Sequence, residues 1–160
     1  MQLRIWSRKE IENFLLVPGA VSRYIESQDK GVTCSPDRVM AEIDKVVEDL
    51  RQDPIEDSIV DVLYSRDKRA GTKKAIKSCR EYVAQLWPDQ QQRWALAPGK
   101  TVISRLSRWS KKEFGVSFGP EQIARALLSE EVDREVIEVI SAISEARALR
   151  PPFSMPRSSS

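Results

Sequence analysis

The chain has 160 residues, 41% hydrophobic and 31% charged, enough apolar material for one compact domain with a modest core. A mean hydropathy of −0.43, with no apolar run near the ~18 residues a spanning helix needs, argues against a membrane span. The lack of histidine excludes Ser-His, Cys-His and His-metal chemistry. The first residues, Met1 to Trp6, show no basic-then-apolar signal pattern, and Cys34 and Cys79 are too few for a zinc ribbon. The expectation is a cytoplasmic protein with two buried free thiols.

Leu3-Arg4-Ile5-Trp6 alternates as a short strand does, and Ser7 with Glu10 has capping-box spacing ahead of a helix over Lys9–Leu16. Pro18 opens a second helix at about Gly19–Ser27, and Gly31–Ser35 read as a loop. Ser35-Pro36 then starts a long helix whose stripe is Val39, Ile43, Val46, Val47 and Leu50. Pro54 ends or kinks it, and Ile55, Ile59, Val62 and Leu63 carry the next stripe. Beyond Gly71 the inward face is expected at Ile76, Cys79, Val83 and Leu86, followed by a short helical turn from Pro88-Asp89 through Trp94. Val102, Ile103, Leu106 and Trp109 define a helix that Gly115 terminates, and Val116-Ser117-Phe118 is a candidate extended piece. Gly119-Pro120 opens another helix, and Ser129 caps a last one with an inward stripe of Val132, Val136, Ile140 and Ile143. The tail from Arg150 is too rich in proline and serine to fold alone. The fold expected is mainly α, about eight helices with a short N-terminal strand.

Charge is distributed unevenly. Residues 1–65 carry 8 basic and 13 acidic side chains, residues 66–112 carry 13 and 3, and residues 113–160 carry 5 and 8. A basic centre between acidic flanks serves either as a phosphate-facing surface or as an internal match to those flanks. Lys73, Lys77 and Arg80 share one helical face, and Arg105, Arg108 and Lys112 share another; such faces track a nucleic-acid backbone without reading bases, or are simply solvated. Trp6, Trp87, Trp94 and Trp109 accompany apolar stripes and read as core aromatics rather than stacking platforms.

Pro98-Gly99-Lys100-Thr101 looks like the end of a phosphate loop, but the glycine required five positions before Gly99 is Trp94, which excludes nucleotide hydrolysis of the P-loop kind. Lys100 at a helix start either attends an anion or is solvated, with Gly99 a simple chain break. Glu10 and Glu12 flank Ile11 near the strand end; two residues apart on a helix, they point about 200° apart and do not both ligate one ion. Glu12 is expected to pair with Arg8 or a nearby lysine. There is no Asp-x-Asp, so a locally built hard-metal site lacks ligands.

The string Trp6-Ser7-Arg8-Lys9-Glu10-Ile11-Glu12-Asn13-Phe14-Leu15-Leu16-Val17-Pro18 resembles the W-x-R-[RK]-E-I-E-N-[YF]-L-L-x-P segment of ATP-dependent nucleases of the overcoming-lysogenization-defect (OLD) type. The similarity extends through Arg93-Trp94, Pro98 to Leu106, Trp109 and Phe114 to Ser117, covering most of residues 3–145. Those proteins join an ABC-type ATPase to a C-terminal Toprim nuclease domain. The family's ATPase motifs, Toprim glutamate and Asp-x-Asp precede the matched region and have no counterpart here. The resemblance therefore implies residues 1–30 as the end of a Toprim-like core, residues 31–149 as its helical C-terminal region, and residues 150–160 as a tail. It also implies Glu10 or Glu12 near the metal edge of a nuclease site, and Lys100 against the scissile phosphate. On this reading the chain binds DNA backbone, holds no cofactor itself and is inactive alone. Mg2+ or Mn2+ enters only with a partner, an ABC-type ATPase or Toprim chain, that brings the missing carboxylates. The alternative is a helical interaction module docking on such a partner, or self-associating through its strand edge.

Overall fold

The computed structural model describes residues 8–29 and 31–148. The expected strand at Leu3–Trp6, Ser7 and the tail from Arg150 lie outside the described residues. Eight α-helices are present among those described: α1 (Pro18–Gln28), α2 (Pro36–Asp49), α3 (Asp57–Arg66), α4 (Gly71–Leu86), α5 (Gln90–Leu96), α6 (Gly99–Phe114), α7 (Pro120–Ala126) and α8 (Arg134–Ala148). No described residue is in a strand, and Val116–Phe118 is irregular chain that buries Val116 and Phe118.

Local chemistry sets most of the helix ends. Proline occupies the first turn of α1, α2 and α7, where its fixed φ suits the helix and its missing N–H is no loss. Ser35 Oγ accepts from Arg38 N (3.3 Å) and Asp89 Oδ1 from Gln92 N (2.8 Å), capping α2 and α5. Gly115 closes α6 at φ +74°, a conformation that penalises a side chain. Pro54 does kink the chain: Asp53 is extended (φ −123°, ψ 118°) within a wide turn over Arg51–Glu56. The helix expected at Lys9–Leu16 is only a 3-10 turn, Ile11–Leu15, and its Ile11 faces outward.

α2 is the centre of the molecule. It packs against α1, α5 and α6, while α1 also meets α7. Val39, Ile43 and Val47 of α2 are fully enclosed with Ile25 of α1, Val102 and Leu106 of α6, and Ile123 of α7. Burying each such side chain stabilises the fold by about 1.5–3 kcal/mol. One continuous cluster thus joins the segment before residue 30 to the helices after it. α3 and α4 pair as a hairpin at the side of this core, tied to it through buried Ile55 in the wide turn.

Two stripes differ from expectation. On α4 the buried residues are Ala75, Cys79 and Val83, which face α3 and the wide turn, whereas Ile76 faces solvent. On α8 the cap is Asp133, whose Oδ1 accepts from Glu135 N (2.9 Å), not Ser129, which lies in a separate turn, Ser129–Glu131. Of the expected stripe, Val132 and Val136 are half-buried, whereas Ile140 and Ile143 are 57 and 62% exposed, and Ile137 beside them is 46% exposed.

Candidate functional site

The site builds outward from Asn13, which is fully buried. Its Nδ2 donates to Trp94 O (2.8 Å) and Ala97 O (2.9 Å), and its Oδ1 accepts from Glu10 N (3.0 Å). One amide thereby locks the 3-10 turn to the end of α5; it supplies the donor for Ala97 O and a second donor for Trp94 O, which also accepts from Ala97 N. This brings the turn's backbone against the start of α6 so closely that a Cβ on Gly99 would lie 2.7 Å from Asn13 N and 2.9 Å from Glu12 C. Gly99 is therefore neither a chain break nor a phosphate-loop glycine. It opens α6, and its lack of a side chain permits the contact.

That contact assembles residues far apart in sequence. Glu10 Oε2 accepts from Lys100 N (2.9 Å), so its carboxylate caps α6 rather than the helix behind it. Glu12 Oε1 stands 3.6 Å from Lys100 Nζ, the lysine partner expected for it, while Arg8 pairs with Asp133 (3.1 Å). Glu12 and Lys100 then line an open cleft of about 450 Å3, with Ser104 and Arg108 along α6 and Phe118 and Gly119 opposite. The three residues singled out near the metal edge and the phosphate are thus in one place, with Arg108 of the basic set beside them.

The carboxylates do not make a metal cage. Glu10 is engaged by a backbone amide and Glu12 faces an ammonium, and among the described residues no group of three or more acidic or thiol side chains is arranged to hold a metal ion. A divalent ion would need ligands from another chain or segment.

The basic block divides into cations paired with acidic residues and cations left exposed. Arg93, Lys100 and Arg105 pair with Asp44, Glu12 and Asp49 of the acidic N-terminal block. Lys74 and Lys77 face Asp67 and Glu81 only at 3.9 and 3.8 Å. Arg66, Lys68, Arg69, Lys73, Arg80, Arg108, Lys111 and Lys112 are exposed and form no ion pair with a described residue. The face of Lys73, Lys77 and Arg80 is on the α3–α4 hairpin, whereas Arg105, Arg108 and Lys112 ride on α6, which packs on α2 and the 3-10 turn. The two faces belong to different parts of the molecule.

Asp44 holds a second polar node. It receives Arg93 Nη2 (2.8 Å), Trp94 Nε1 (2.7 Å) and Gln90 Nε2 (2.8 Å). Burial works to raise its pKa, but the hydrogen bonds from Arg93, Trp94 and Gln90 prevail and leave it below the ordinary carboxylate range. Burial raises both thiols, Cys34 and Cys79, which suits unreactive core residues. Trp94 is buried as expected of a core aromatic, and Trp109 stacks edge-on against Phe114 (5.3 Å) with Arg38 over both rings. Asn13 and Asp44 carry no signal in composition or periodicity. The one hint for Asn13 is an amide set between apolar Ile11 and Phe14 in the resembling string.

Comparison with known families, characterised proteins and solved structures found no match for this chain. The structure itself defines a mainly helical protein in which no described helix is long and apolar enough to cross a membrane.

Proposed function

We propose that the chain is the C-terminal part of an OLD-type Toprim nuclease that holds a nucleic-acid backbone without base selectivity and depends on a partner for catalysis. The observation that carries this reading is the meeting of Glu10 and Glu12 with Lys100 at the start of α6, beside Arg108 in one open cleft. These are the positions that the resemblance associates with the metal edge and the phosphate. Lys100 and Arg108 would offset charge on a phosphate, while Glu12 would face a metal held mostly by the partner's carboxylates. The exposed cations of α4 would extend the contact along the backbone.

The test has two arms. The isolated chain in Mg2+ or Mn2+ should bind plasmid DNA at low salt and leave it uncut, because two committed carboxylates are too few for a two-metal site. Nicking that survives Glu10→Ala and Glu12→Ala would refute the assignment, as would a folded chain that fails to bind.

A second reading, docking on an ATPase or Toprim partner, draws on α8. Its exposed isoleucines form an apolar stripe that the described chain leaves uncovered.

A further inference from the structure

The α3–α4 hairpin carries a groove that the backbone reading does not use. It has a volume of about 730 Å3, within the range of sites that enclose a small organic group. Ile59 and Leu63 of α3 and Leu96 at the end of α5 are its half-buried apolar lining. Val62 and Tyr82 line it from α3 and α4 and are 49 and 46% exposed, so an aromatic ring is open to a ligand there. The charged residues on the groove are all cations: Arg8, Lys9 and Arg66. Arg8 is committed to Asp133 and to Asn13 O, and Lys9 Nζ rests on Ser58 Oγ at 3.0 Å. Arg66 is exposed, and beyond Asp67, which faces Lys74, come the exposed Lys68 and Arg69.

We infer that this groove binds single-stranded nucleic acid, seating an unpaired base on Tyr82 and Val62 while Arg66 and Lys9 meet the flanking phosphates. The inference rests on the backbone reading and adds the form of the substrate. An apolar, tyrosine-bearing slot has no use for a duplex, whose base faces are stacked inside the helix; an unpaired base offers a free π-face to it. These cations would attract an acidic peptide too, and the choice of nucleic acid rests on the exposed Tyr82 ring, which offers a stacking face to a base. No carboxylate lines the groove among the described residues, so the lining that is described offers a phosphate chain no repulsion.

The experiment compares the full chain's affinity for a fluorescent oligothymidine strand and for a mixed-sequence duplex of equal length, by anisotropy at low salt. The single strand should bind several-fold more tightly. Tyr82→Ala should weaken single-strand binding roughly 5- to 150-fold, the loss of one stacked base, and leave duplex binding unchanged. Tyr82→Phe should retain the single-strand affinity, because stacking needs the ring and not the hydroxyl; a merely electrostatic groove would be indifferent to Tyr82→Ala as well. Circular dichroism checks the fold of each variant. Equal affinity for the two forms, with Tyr82→Ala neutral, overturns this inference and leaves the backbone reading standing. Failure of both forms to bind overturns the two together.

Discussion

Gly99 and Asn13 show how a single position decides whether the site exists. Gly99→Ala must push a methyl into the backbone of Glu12 and Asn13, where no flexible side chain can yield. We expect a loss of about 1–3 kcal/mol in denaturant unfolding, typical of overpacking, together with a displaced Lys100. Asn13→Ala strands the carbonyl of Ala97, an unsatisfied group costing about 1–3 kcal/mol, and removes one of the two donors to Trp94 O, which keeps Ala97 N. It should be the most destabilising polar substitution tested. Asp44 adds a pH dependence. Its carboxyl titrates lower when folded than the ~3.9 of an unfolded aspartate, so its stabilisation is complete above that value and is lost as pH falls through the folded pKa. Glu131, lowered by its hydrogen bond from Arg23, acts in the same direction. An acid-unfolding titration of Asp44→Asn should show a shallower decline than the parent below about pH 4.

At the scale of elements, proline, capping residues and stripes made most helices legible. Ser35-Pro36, Gly119-Pro120 and Gly115 mark helix ends where the structure has them, and the α2 stripe is the core it looks like. Periodicity shows that a stripe exists without showing whether anything packs on it. Ile76 and the isoleucines of α8 are apolar at helical spacing and still face out, because their neighbours lie elsewhere. The site was legible only as residue types: nothing in spacing places Glu10 beside Lys100, ninety positions away, since that contact depends on the buried Asn13 bridge and on Gly99. Ile43→Ala in α2 should cost about 2–5 kcal/mol, whereas Ile140→Ser in α8 should stay within about 0.5 kcal/mol. A loss above 1 kcal/mol for Ile140→Ser in the isolated monomer would mean that α8 is packed after all.

For the whole molecule, charge is the organising quantity. Residues 66–112 hold 13 basic and 3 acidic side chains, and the ion pairs to Asp44, Glu12 and Asp49 absorb only part of that excess. The remaining exposed cations are concentrated on the α3–α4 hairpin and along α6. Phosphate contacts from such a surface release counterions, so affinity should fall linearly in log salt, with a slope of roughly 0.9 per contact on a duplex. The most direct measurement of the central claim is the salt dependence of duplex binding for the parent chain and for Lys73→Gln, Lys77→Gln and Arg80→Gln combined. Backbone binding through α4 predicts a slope smaller by about 2–3 units, with all DNA sequences weakened alike. An unchanged slope in a folded variant would contradict it.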